Sequence, residues 1–356
     1  MRKILLEHAK KGDVVGRNLY SSNGNILLSA GIRLTDKYIE KLQELGVDDI
    51  YIKDGVSKDI FIEDAIKEET LINVRKNMAE EMDKIKLSRT EDAYISMKLI
   101  GNIMEYILEN KDVVVNLADI RSTNEYTFTH SVNVCVLSLV LGLSLGYDRQ
   151  RLLELGTGAL LHDIGKNFIP NDIINKLSPL TPEEYELVKT HTSRGYEVLR
   201  ENKNIPELSS YVALAHHERY DGTGYPLGKR GEDIHEYARI VSIADVFDAI
   251  TSKRPYKMKE NPSRAVDYLI SMESRQFDEQ LLSKFLESIA VYPIGSKVKL
   301  SDGSLGLVIS ENREMPTRPI VRIIYDRKGN RMNMGEMVDL MKHPTMFIKE
   351  DMEQVV

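Results

Sequence analysis

Leu160-Leu161-His162-Asp163-Ile164-Gly165-Lys166 sets an imidazole beside a carboxylate at the end of an apolar run. Leu152, Leu153, Leu155, Ala159 and Leu160 recur at near-helical spacing before it, which predicts a core-packed helix delivering His162 and Asp163 to the interior. A charge placed there requires a partner. The partner is either a cation from elsewhere in the fold, giving a structural ion pair, or a metal held jointly by neutral imidazole and ionised carboxylate. The dipeptide alone favours the ion pair, so the choice turns on whether further ligands are present.

Candidates lie on both sides of this stretch. His130 follows Glu125-Tyr126-Thr127-Phe128-Thr129 at the mouth of an apolar segment, Val134 to Leu145. His191 is expected at the end of a helix opened by Thr181-Pro182-Glu183-Glu184, which has Thr at the cap, Pro in the first turn and Glu three residues on. His216 and His217 are adjacent in Ala215-His216-His217-Glu218, and Asp245 lies in Ile243-Ala244-Asp245-Val246-Phe247. Singly, each has an ordinary reading as a core histidine, a cap or an ion-pair member. Two neighbours on a helix point about 100° apart, so one of His216 and His217 could face solvent. Jointly, five of the eight histidines with two carboxylates are too many for one tetrahedral zinc. They suit two six-coordinate ions sharing a bridging carboxylate, and mixed imidazole and carboxylate ligation points to iron or manganese before zinc. His8, His235 and His343 stand apart and are expected at the surface.

The order His130, His162-Asp163, Asp245 resembles the ligand order of the HD superfamily of metal-dependent phosphohydrolases. His216-His217-Glu218-Arg219-Tyr220-Asp221-Gly222-Thr223-Gly224-Tyr225-Pro226 is similar to the extended signature of its HD-GYP family, as are Ala238-Arg239-Ile240, Ala244 to Ala249 and Arg254-Pro255-Tyr256. The resemblance covers roughly residues 111 to 290. It implies an all-helical domain that hydrolyses cyclic di-GMP, with metal ligands His130, His162, Asp163, His191, His216, His217 and Asp245, Asp163 bridging. It also implies Lys166 beside the metals, Gly224 and Tyr225 in a substrate-facing loop, and Arg254 and Lys257 on phosphate. Members with three metals carry a glutamate four residues before the first histidine, where this chain has Tyr126. Two divalent ions are therefore expected and a third is not.

The chain has 356 residues, 42% hydrophobic and 29% charged, which suits a folded protein with one ordinary domain and small modules. A net charge of -7 argues against a nucleic-acid polymer or an anionic membrane as partner. A single cysteine, Cys135, fits a reducing compartment and reads as a small buried hydrophobe. The apolar run at Met1 to His8 breaks too early for a signal peptide, and Val134 to Leu145 falls short of the ~20 residues a spanning helix needs. A cytoplasmic location follows as the expectation.

The fold class expected is mainly α: an all-helical HD-type catalytic domain at 111–290, flanked by a small N-terminal α+β module at 1–55 and a small C-terminal β module at 291–356. In the first module Ile26-Leu27-Leu28 and Val47 to Ile52 read as strands, and Thr35 opens a helix with Tyr38, Leu42 and Leu45 on one face and Gly46 as its stop. Between 56 and 110, Val74, Met78, Met82 and Ile85, then Ile95, Leu99, Ile103 and Ile107, fall at helical spacing. A homodimer seam and a hairpin packed on its own domain fit this pattern equally. In the last module Val298 and Leu300 alternate with polar residues, Asp302-Gly303 signals a hairpin, and Leu305 to Ile309 and Ile320 to Tyr325 read as strands.

Function is read from the site. Two ions about 3.5–4 Å apart can hold a hydroxide at neutral pH for attack on phosphorus. Lys166 adds a positive charge or proton donor, and Arg254 can grip a second phosphate bidentately. The expectation is a phosphodiesterase opening cyclic di-GMP to linear pGpG or onward to GMP. The competing readings are a non-catalytic cyclic di-GMP receptor and a hydrolase of another cyclic dinucleotide.

Overall fold

The computed structural model describes residues 1–20, 26–47, 49–55, 57, 60, 101, 126–252, 262–312, 315–332 and 335–351. They fall into two compact units, one drawn from Met1–Ala65 and Ile289–Val356, the other from Tyr126–Ser288. The helical periodicities at 74–107, the turn at 23–25, Arg254 and Lys257 lie outside the described residues.

The first unit is built largely of strands. β1 (Arg2–Leu5) pairs antiparallel with β5 (Asp49–Lys53), which also pairs with β2 (Val14–Val15), while β3 (Leu19–Tyr20) pairs with β4 (Ile26–Leu28). Helix α1 (Asp36–Glu44) starts where the sequence places it, with the Thr35 hydroxyl accepting the Tyr38 N–H at 3.2 Å. Gly46 closes it with φ +74°. Of its expected apolar face only Leu42 is buried, against Ile4, Leu6 and Ile50; Tyr38 and Leu45 remain exposed.

Five antiparallel strands form the second part of this unit, in the order β10 (Ile348–Asp351), β6 (Lys297–Leu300), β7 (Leu305–Ser310), β8 (Ile320–Tyr325), β9 (Met337–Asp339). Val298 and Leu300 face the core and alternate with partly exposed lysines, the period-two signal read from sequence. The two ends of the chain share this unit. Lys3 N–H donates to Gly295 O at 3.4 Å, and Ile60 packs in one cluster with Leu307 and Ile324.

Among its described residues the second unit is helical. Helix α2 (Tyr126–Ser144) is buried nearly all round from Val132 to Leu141, as a central helix must be. Burial pushes the Cys135 thiol within it up to about 12, so this cysteine packs as a hydrophobe. Against α2 lie α3 (Arg149–Leu161) and α7 (Glu236–Thr251); α4 (Asn171–Ile174) is one short turn; α5 (Pro182–Glu201) packs on α6 (Glu207–Ala215), and α6 on α3. α8 (Pro262–Ser271) and α9 (Glu279–Glu287) complete the unit. The capping box of α5 is present in full, Thr181 accepting from Glu184 N and Glu184 from Thr181 N. That helix runs on to Glu201 rather than ending near His191, because Gly195 and Leu199 continue its buried face. No helix among the described residues is long and apolar enough to cross a membrane.

Candidate metal centre

The helices deliver their side chains to one point. His162 is the C-terminal cap of α3 and Asp163 begins the 3-10 turn that follows, with Lys166 inside that turn. His130 comes from α2, His191 from the middle of α5, and Asp245 from α7. His216 caps α6 and His217 follows it, so the pair leaves the helix instead of lying on it. The end of the helix removes the expected 100° divergence, and both rings join the cluster, their centroids 4.1 Å apart.

Asp163 stands at the centre. Its Oδ2 lies 3.3 Å from His162 Nε2 and 3.7 Å from His130 Nε2, whereas its Oδ1 lies 3.5 Å from His191 Nε2 and 3.8 Å from His216 Nε2. Asp245 Oδ1 is 3.1 Å from His130 Nε2. Ligand-type atoms gather within 4.8 Å of one another in three overlapping sets: His130, His162, Asp245; His191, His216, His217; and His162, Asp163, His216. The Lys166 ammonium donates to Asp163 Oδ2 at 2.5 Å.

Three of the rings rest their far nitrogens on backbone carbonyls. His162 Nδ1 meets Ala159 O at 2.7 Å, His191 Nδ1 meets Val188 O at 2.6 Å, and His216 Nδ1 meets Ala213 O at 3.0 Å. With Nδ1–H donating to a carbonyl, each ring turns an Nε2 lone pair inward. Burial lowers the pKa of His191 and His216 and brings His217 down to about 3. Burial would raise the two carboxylates; the Lys166 charge with His162 outweighs it at Asp163, and His130 outweighs it at Asp245, so both sit well below the usual range. His130 is the exception among the rings: burial pulls it down, but Asp245 and Asp248 lift it to about 9.

Neutral imidazoles and ionised carboxylates are the forms that ligate divalent ions. Two buried atoms at the centre, His162 Nε2 and Asp163 Oδ1, have no hydrogen-bond partner. His191 Nε2 and His216 Nε2 face each other at 3.4 Å. Such inward-turned nitrogen and oxygen donors fit one or more divalent metals.

The loop after His217 closes over one side. Tyr225 stacks on His217 with ring centroids 4.9 Å apart, and its N–H donates to His217 O at 3.2 Å. Gly224 lies so close to the backbone of Glu218 and Arg219 that a Cβ there would fall 2.3 Å from Arg219 N. Glu218 is buried and accepts Leu227 N–H at 2.6 Å and Lys229 N–H at 3.1 Å, which ties the loop down. Asp221 accepts from Thr223 N and Oγ1 within the loop, at 2.9 and 2.6 Å.

One side chain at the site was not singled out from sequence. Asp248 is buried behind His130, its Oδ2 2.7 Å from His130 Nδ1. The signal was its place one helical turn after Asp245, on the same face of α7. His235, expected at the surface, is partly buried and caps α7, its Nδ1 accepting Tyr237 N–H at 3.2 Å. His8 and His343 are exposed.

A family model described as HD domain matches residues 105–281, and one described as KOW domain associated with HD domain matches residues 297–354. A cyclic di-GMP phosphodiesterase of Pseudomonas aeruginosa is 34% identical over 255 residues, 72% of this chain and 61% of that protein. One from Thermotoga maritima is 31% identical over 255 residues, 70% of this chain and 67% of that protein. The chain thus spans about three fifths to two thirds of the length of these relatives. A solved HDG"Y"P protein from Bdellovibrio bacteriovorus shares the fold, with a TM-score of 0.55 and 20% identity over 80% of this chain and 97% of that one. The HD-domain match encloses both His162-Asp163 and the loop ending in Gly224-Tyr225-Pro226, and on these relationships the chain belongs to the HD-GYP family of the HD superfamily.

Proposed function

We propose that the chain is a metal-dependent phosphodiesterase that opens cyclic di-GMP to linear pGpG, and to GMP where the second bond is also cut. The observation that carries this reading is the division of Asp163, one oxygen toward His130 and His162 and the other toward His191 and His216. A carboxylate so divided suits a bridge between two ions, one held by His130, His162 and Asp245 and the other by His191, His216 and His217. Iron or manganese is the proposed pair, from the mixed nitrogen and oxygen donors. When bound, such ions activate water and neutralise phosphate charge.

The chain's own residues do the rest. The Lys166 ammonium, partly exposed and tethered to Asp163, is placed to pair with a phosphate oxygen or to protonate the leaving oxygen. Tyr225 is anchored by His217 and offers a ring edge and hydroxyl to a nucleotide. Arg254 and Lys257 are proposed as the second phosphate clamp on the strength of the family pattern alone. These cations offset the acidic net charge of -7 locally.

The test joins metal content with turnover of cyclic di-GMP on one anaerobically purified sample. Two iron or manganese ions per chain and a linear product are expected. His162→Ala and Asp163→Ala should each abolish turnover with the fold retained by circular dichroism, and unchanged turnover in either defeats the proposal. Lys166→Ala should reduce the rate roughly 10²–10³-fold, the loss ordinary for one electrostatic donor. Tight binding of cyclic di-GMP by the metal-loaded protein without product would replace catalysis by a receptor role.

A further inference from the structure

The two halves of the histidine cluster differ in what stands behind them. His162, His191 and His216 rest their Nδ1 atoms on backbone carbonyls, which are neutral. His130 alone among these four rests on a carboxylate, Asp248 Oδ2, at 2.7 Å. Asp248 is 2% exposed, and its other oxygen accepts from Asn133 Nδ2 at 2.7 Å and Ser252 Oγ at 3.0 Å. His130, Asn133 and Ser252 thus converge on the two oxygens of Asp248 and hold it between α2 and α7.

We infer that Asp248 is a positioning residue that makes the half formed by His130, His162 and Asp245 the first and tighter of the two metal positions. A carboxylate accepting the Nδ1–H of a ligating histidine fixes the ring and raises the basicity of Nε2. The His130 half also contains Asp245 as a direct donor, whereas the other half contributes imidazoles alone apart from the shared Asp163. Lys166 works against this difference, since it contacts the Asp163 oxygen on the His130 side. Once an entering ion has displaced the His130 proton, one ammonium faces the two carboxylates Asp245 and Asp248, which leaves that half the more negative, and a divalent ion enters it first.

The inference rests on the reading that this cluster holds two ions, and it does not depend on which phosphodiester is cut. The test is titration of the metal-free 356-residue chain with Mn²⁺ alone, following free Mn²⁺ by electron paramagnetic resonance, without substrate. The wild-type chain is expected to bind in two resolved steps. Asp248→Asn should weaken the tighter step by about 10–100-fold and leave the weaker one in place. The substitution is nearly isosteric, and the unpaired buried Asn133 Oδ1 can accept the new amide N–H. His191→Ala should keep the tight step and lose the weak one, and His130→Ala the reverse; this pair decides the order even if Asp248→Asn fails to fold. A tight step that survives His130→Ala but not His191→Ala overturns the inference, as does equal weakening of both steps by Asp248→Asn. A wild-type chain that binds one ion or none defeats the two-ion reading itself, whereas two ions bound in the wrong order defeat only the inference.

Discussion

The protonation states of single histidines set how the metal-free protein responds to pH. His217 is brought down to about 3 by burial, so between pH 6.5 and 3 the unfolded chain takes up a proton there that the fold refuses. Stability is therefore lost as pH falls through that window, by up to ~1.4 kcal/mol per unit per group, and the lowered His191 and His216 add in the same direction. His130 acts oppositely. Its folded value is raised to about 9, so its contribution is complete below pH 6.5 and is lost as pH rises from 6.5 through 9. Without metal the melting temperature should thus peak near pH 6.5 and decline on both sides. A metal held by His130 as proposed would displace that proton, and with metal bound the alkaline decline should disappear. A metal-free melting temperature still climbing from pH 6.5 to 9 would contradict the assignment of His130 as the protonated ring.

The elements hold these residues in place through one unusually close approach. Gly165, in the turn that carries Asp163 and Lys166, lies against α5 so tightly that a Cβ would fall 1.8 Å from His191 O and 2.7 Å from Gly195 N. The contact brings Asp163 over His191. Gly165→Ala should therefore push the turn off α5, costing about 1–3 kcal/mol or more and reducing bound metal. Gly195→Ala, whose nearest neighbours stand at 3.2 and 3.3 Å, should be milder in both respects. Equal metal content in the two variants would remove this contact from the site's architecture. Sequence announced the end of the apolar helix and the capping box at Thr181, because both are local patterns in neighbouring residues. The end expected near His191 went against a signal that is present, since no proline stands between Pro182 and Asn202 and only Gly195 interrupts the helix formers. Sequence did not separate Asp248 from a solvated carboxylate: its meaning comes from His130 and Asn133 on α2, more than a hundred residues away in sequence. For Glu218 the letters leave a loop-orienting role and a solvated one equally open, because its partners are backbone N–H groups at Leu227 and Lys229 that only the folded loop brings back to it.

At the scale of the molecule, the ligand-type clusters among the described residues all lie in the unit drawn from Tyr126–Ser288. The other unit depends instead on both ends of the chain: the Met1 ammonium donates to Ser57 O and Ile60 O, each at 2.5 Å, and Ile60 packs with Leu307 and Ile324. Metal binding should stabilise only the first of these. An ion at 1,000 times its dissociation constant adds about 4.1 kcal/mol to the unit that binds it, which is roughly ten degrees in melting temperature for a domain of this size. Calorimetry of the whole chain is accordingly expected to show two transitions, of which a chelator lowers one. Ending the chain after Ser288 takes Leu307 and Ile324 away from Ile60, and it should abolish the metal-insensitive transition while the metal-sensitive one persists. If the truncated chain instead loses its response to metal, the Tyr126–Ser288 unit does not hold its ions independently, and the division of labour argued from the cores is wrong.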